Sequence, residues 1–220
     1  MSNPLLQLIV LAGIAIFLIL RLKNVLGTRD GFEPPQVDQP TASTTPARFE
    51  VIEGSADEVD HDILDHAEAG GAAAKALAAM KRVEPSFGLR DFLGGARSAY
   101  EMILMAFERG DLTEVRPFLS DPVAEAFQSV IDQRVANGQT VEATYLGTRD
   151  TKLAAAEFDP ATGLAEISIR FVGELIAATR DADGTVIDGD PKASRKQKDT
   201  WTFARRMGQD DPNWQLVATS

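Results

Sequence analysis

Helical periodicity that gives way to strict alternation after Gly138 predicts an α+β fold. Three helices come first and a curved antiparallel sheet follows, so the helices are expected on one face of that sheet. A sheet bent around a long helix makes a cone with an apolar mouth. Ahead of this lies a third observation: residues 5–20, LLQLIVLAGIAIFLIL, hold twelve Leu, Ile, Val or Phe and no charge.

That run supplies about −4 to −7 kcal/mol toward membrane insertion. Sixteen helical residues cover only about 24 Å of a hydrocarbon core about 30 Å thick. The span therefore extends over about residues 4–26, with Pro4 in the first turn and Arg21 and Lys23 snorkelling to the far interface. Arg21, Lys23 and Arg29 all follow the run, so positive-inside bias keeps that flank in the cytoplasm and a short N-terminus outside. A cleaved signal peptide would need a basic start and a small-residue cleavage site, and neither is present. The expected location is a bacterial inner membrane, crossed once.

The chain carries a net charge of −11, and beyond residue 23 it holds 20 basic against 33 acidic residues. Phosphate attraction has the wrong sign for such a domain, which excludes general binding of nucleic acid. Without Cys there are no disulfides, thiolate metal sites or Cys nucleophiles, and two His leave little for zinc or a Ser–His triad.

Residues 27–54 begin with four Pro among Thr, Ser and Gly, the composition of a disordered linker. Residues 55–86 read as a helical segment. Its first part is acidic, within a stretch (49–68) of eight carboxylates and no basic residue; Ser55 would cap it, with Val59, Ile63 and His66 on one face. His61 and His66 are not spaced i,i+4, which disfavours a helical metal site. Gly70-Gly71 breaks this element, and a second helix over about 72–84 carries a stripe of Ala73, Ala76 or Leu77, Met80 and Val83. Lys75, Lys81 and Arg82 lie beside that stripe, so the helix either packs on its neighbour or docks a partner or the membrane surface.

The globular domain spans 87–220. Phe92, Ala96, Tyr100, Ile103 and Phe107 form the buried stripe of a helix over 92–111 that Gly110 ends in the left-handed conformation. Asp111 caps a short helix burying Leu112, Val115 and Leu119; Asp121 caps a third, with Pro122 first and Asn137-Gly138 closing it. Strands follow at 141–147, 151–159, 164–180, 198–207 and 213–219, with 181–195 as a loop. In the long strand Ala165, Ile167, Ile169 and Phe171 face one way, and Gly173 is expected to mark a bulge.

Residues 94–103 (GGARSAYEMI), LSDPVAEAF at 119–127, GQTVEATYLG at 138–147, 170–191, KDTWTFAR at 198–205 and DPNWQLVAT at 211–219 come in an order that resembles a known family. The resemblance is to mitochondrial import inner membrane translocase subunit 44, most closely its bacterial, TimA-type members, over about three-fifths of the chain. It implies a nuclear-transport-factor-2-like cone, an adaptor or tether at the inner membrane linked to protein translocation, a protein partner, no cofactor and no catalytic set. The long basic N-terminal region that recruits the heat-shock motor in the mitochondrial subunit is not matched here.

Enzymes such as ketosteroid isomerase share the cone and need an acid–base pair at its mouth. Tyr100 or Tyr145 with Glu157 or Asp159 would be the candidates, but Tyr100 sits on the core stripe and Asp159 precedes Pro160, so no enzyme is expected. Tyr100, Phe107, Phe171, Trp201, Phe203 and Trp214 either fill the core or line a pocket for a peptide or ligand. Lys192, Arg195, Lys196 and Lys198 form either a solvated hairpin or a contact for anionic lipid or an acidic partner. Other readings of one anchor joined to this fold are a scaffold subunit of a secretion-type complex and a ribosome tether; the net charge opposes the latter.

Overall fold

The computed structural model describes residues 60–220. The expected membrane span at 4–26, the linker at 27–54 and the Ser55 cap lie outside the described residues. Among the described residues no helix is long and apolar enough to cross a membrane.

The elements are α1 (His61–Leu64), α2 (Ala72–Val83), α3 (Leu89–Arg109), a 3-10 turn (Arg116–Phe118), α4 (Asp121–Ala136), β1 (Thr140–Asp159), β2 (Leu164–Arg180), β3 (Val186–Arg206) and β4 (Gln215–Thr219). The strands form one antiparallel sheet in the order β1-β2-β3-β4, each paired with its neighbour in sequence. Helices before strands, on one antiparallel sheet, make the class α+β.

α3 starts three residues earlier than its stripe suggested and stops where Gly110 takes φ 76°. A side chain would be strained there, and the Gly110 N–H closes the last turn onto Ala106 and Phe107. Phe92, Ala96, Tyr100 and Ile103 are buried as expected, with Phe107 partly so. Leu112, Val115 and Leu119 are buried too, but on a turn and a 3-10 stretch rather than a helix. Pro117 accounts for the difference, since its ring and missing N–H forbid an α-helical interior at that point. α4 begins from Ser120 instead of Asp121. Asp121 falls in the first turn, where its carboxylate meets the helix dipole and Arg116.

Among the described residues the acidic stretch forms one helical turn, with Asp60 as its cap. Its carboxylates are used across space instead. Asp62 accepts the backbone N–H groups of Leu89 and Arg90 at 2.7 and 2.9 Å, capping α3 where Gly88 offers no side chain. Lys81 bridges Asp60 and Asp62, both at 2.8 Å. α2 matches its expected span, but the face it buries is Ala74, Leu77 and Met80; Val83 stands out in solvent. These residues and Ile63 belong to the same hydrophobic cluster as α3 and the sheet, so 60–86 and the domain from 87 share a core.

Three sheet expectations change. The two strands at 141–147 and 151–159 are one strand, β1, interrupted by three register shifts against β2. Bulges add residues to β1 and bend it, which breaks the alternation that marks a strand. Two of those shifts flank the Gly147 and Thr148 pairing with Glu174 and Gly173, so the irregularity lies on the strand opposite Gly173. Finally, 186–195 is strand. The loop is only the turn at Asp181–Thr185, where Asp181 accepts from Asp183 and Thr185 N–H. Residues 187–196 are exposed, so that part of β3 carries no apolar pattern to read.

Candidate functional site

α3 divides the aromatic residues into two groups. On one side Tyr100 stacks on Phe171 at 4.4 Å and meets Trp201 edge-on at 4.7 Å; Trp201 touches Phe203 at 6.3 Å. All four are buried. The Tyr100 hydroxyl donates to Asp199 Oδ2 at 2.5 Å, and Gln197 also donates to Asp199. Burial and this carboxylate push the Tyr100 phenol far above the ordinary tyrosine range, so it stays protonated. A Cβ on Gly173 would lie 2.9 Å from the Tyr100 hydroxyl, so glycine is there to admit the ring. Tyr100, Phe171 and Trp201 thus fill the interior.

The acid–base pairs weighed from sequence do not assemble. Glu157 is exposed on β1. Asp159 accepts from Ala161 N–H and the Thr162 hydroxyl in the β1–β2 turn. Tyr145 shares a 2.6 Å hydrogen bond with Thr148. The carboxylate that does meet Tyr100, Asp199, was missed. A phenol on a buried stripe needs a polar partner, and the inward-facing polar residue two before Trp201 was the available signal.

Phe107 packs on Phe127 at 4.9 Å with the Arg134 guanidinium 4.4 Å from its centroid. Beside it Glu108 is buried; burial pushes its carboxyl up, opposed by Arg134 at 3.6 Å and by Arg195. Lys192, Arg195, Lys196 and Lys198 are all exposed on β3. Lys196 lies opposite Glu174, whose carboxylate takes hydrogen bonds from Ser194 and Arg149. β4 covers β3 only from Thr200 onward, so the edge of β3 away from β2 is unpaired beside these cations, where charge also discourages edge-to-edge association.

On the other flank of α3 lies an open groove of about 360 Å³. Phe92, Phe203 and Trp214 give it an aromatic floor, with Phe92 and Trp214 4.7 Å apart. Gly95, Ala99 and Met102 form one wall, Phe118 and the Pro212–Asn213 loop the other, and Asp91 is its one charged lining residue. Met102 is 39% exposed. The loop wall is anchored from below. Arg205 pairs with Glu84 at the end of α2, donates to the Pro212 carbonyl and lies 5.7 Å from the Trp214 ring. Burial raises the Glu84 carboxyl, but hydrogen bonds from Arg205 and Gly208 outweigh it and hold the group below its ordinary value.

Of the six aromatic candidates, only Phe203 and Trp214 reach this groove. Among the described residues no group of His, Asp or Glu could hold a metal ion. An apolar groove with an aromatic floor has the kind of lining that ligand and peptide sites use. Residues 73–220 match the Tim44-like domain, about two-thirds of the sequence, and the chain belongs to that family. Membership implies a role in protein translocation or membrane association; Tim44-like domains are non-catalytic adaptor domains that bind protein partners and membranes. Among solved structures, the crystal structure of the intermembrane space region of chloroplast protein ARC6 aligns with a TM-score of 0.38 and 12% identity. That alignment covers 58% of this chain and 94% of that one, and at such a score it carries no argument. No curated protein matches the chain.

Proposed function

We propose that this protein is an adaptor of the bacterial, TimA-type branch, tethered to the inner membrane by residues 4–26 with its C-terminal domain in the cytoplasm. It holds a protein partner, or an unfolded segment of one, during protein translocation or membrane-protein assembly. The domain acts as a nuclear-transport-factor-2-like cone whose interior is packed, so the partner is held outside it. The observation that carries the reading is the aromatic-floored groove beside α3, where Gly95 and Ala99 leave room for a segment to lie against the helix. Lys192, Arg195, Lys196 and Lys198 add a charged contact for the partner or for anionic lipid.

Gly95→Leu tests the groove. Nothing lies within 4 Å of a Cβ at Gly95, so the added side chain enters the groove without displacing the core. Complexes cross-linked through a probe seated in this groove should fall at least tenfold for the full-length variant, at an unchanged or higher melting temperature. Full recovery of the same complexes would sink the proposal. A C-terminal alkaline phosphatase fusion checks the topology: activity would place the domain on the wrong side.

A further inference from the structure

A second groove, of about 560 Å³, lies between α1 and α2. Ile63, Leu64, Ala69, Ala74 and Ala78 make its floor, and Lys75, Lys81 and Arg82 line it with Asp60. Leu64 is 37% exposed. Lys81 is committed to Asp60 and Asp62. Lys75 and Arg82 are exposed and have no ion-pair or hydrogen-bond partner among the described residues.

The position of Lys75 is the informative part. Arg82 sits in the last turn of α2, where the helix dipole favours a cation. Lys75 sits near the first turn, where the dipole disfavours one. Its neighbours three and four residues away are Ala72, Gly71, Ala78 and Ala79, so no carboxylate on the helix compensates it. In a chain with 33 acidic residues, α2 carries three cations and no anion. Lys75 and Arg82 are seven residues apart, two turns or about 10.5 Å along the axis, with the apolar floor beside them.

We propose that this groove docks an acidic, apolar segment of a partner protein. Its hydrophobic side chains sit on Leu64, Ala74 and Ala78 while two carboxylates about 10 Å apart meet Lys75 and Arg82. Two such carboxylates lie two turns apart on one face of an amphipathic helix. The site is separate from the groove beside α3 and does not depend on it.

The test places a photo-activatable benzoylphenylalanine at Ala78 of the full-length protein in its own membrane and sequences the cross-linked segments. Expected are segments bearing Asp or Glu together with apolar residues. The yield should fall about tenfold in Lys75→Glu/Arg82→Glu, because reversal replaces attraction with repulsion. Lys75→Arg/Arg82→Lys should restore it, and Gly95→Leu should leave it unchanged. Both positions are exposed, so an unaltered melting curve separates lost docking from lost fold. Cross-links to lipid, to basic segments or to residues 49–59 of this same chain, no cross-link at all, or a yield indifferent to charge reversal would each overturn the proposal. In solution, a peptide of Glu, Leu and Ala with apolar residues every three to four positions should bind, and its Lys-for-Glu counterpart should not; equal affinity also counts against it.

Discussion

The two flanks of α3 draw on similar residue types and end up differently. Toward β2 and the middle of β3, Tyr100, Phe171 and Trp201 close on one another and Gly173 gives up its side chain to let them. Toward the end of β3, buried Phe92 and Phe203 back an open groove over which Trp214 stays part-exposed, and the wall opposite is Gly95 and Ala99. Glycine occurs on both sides for opposite reasons. At Gly173 a methyl would meet a phenol; at Gly95 it would meet empty space. Aromatic richness therefore marks where apolar surface is, and the neighbouring small residues decide whether that surface is sealed or offered to a partner.

One methyl group on each side breaks the comparison most directly. Gly173→Ala forces Tyr100 or its strand to move and is expected to cost about 1–3 kcal/mol, as overpacking does. For a domain of this size that lowers the melting temperature by roughly 2–12 °C, measurable by calorimetry. An unchanged melt would mean the interior is looser than the Tyr100 contacts imply.

An intermediate effect comes from the cap that aligns both flanks. Burial raises the Asp62 carboxyl, but hydrogen bonds from Lys81, Arg90 N–H and Leu89 N–H outweigh it and hold it below the ordinary value of 3.8. A depressed carboxylate contributes stability that is complete above its unfolded value and is lost as pH falls through the folded one. Asp62→Asn should therefore cost about 1 kcal/mol near neutral pH and flatten the acid limb of a stability–pH curve below about pH 4. Parallel wild-type and variant curves down to acid would remove Asp62 from that role.

The smallest change is on the open side. Gly95→Ala meets no atom within 4 Å and gains helix propensity, so stability should rise by about 0.5–1 kcal/mol in a denaturant melt. A loss there would mean the groove wall is more tightly packed than it looks.

Much of α3 was legible because its stripe, its glycine stop and its neighbours lie within a few turns of chain. The alternation of Ala165, Ile167, Ile169 and Phe171 likewise placed β2 to the residue. β1 and the first half of β3 were harder for distinct reasons. Bulges break the period in β1, and in β3 both faces meet solvent, so nothing apolar alternates. The site was legible only in part: the aromatic residues were singled out, but Tyr100, Phe171 and Trp201 pack inside and Phe107 packs on Phe127. In the sequence Phe92, Gly95, Ala99 and Met102, which shape the groove, read only as parts of one helix, and Asp91 falls just ahead of it.

What the sequence determined by itself is local: the α+β order, the helix stops, the faces of β2 and the placement of the chain among Tim44-like proteins. Tertiary structure alone decided which acidic residue caps α3 from 27 positions upstream, which carboxylate holds Tyr100 from 99 positions downstream, and which aromatic side chains remain uncovered. Periodicity and capping follow from residues a few positions apart, whereas these outcomes depend on groups that meet only once the sheet and helices have closed on each other.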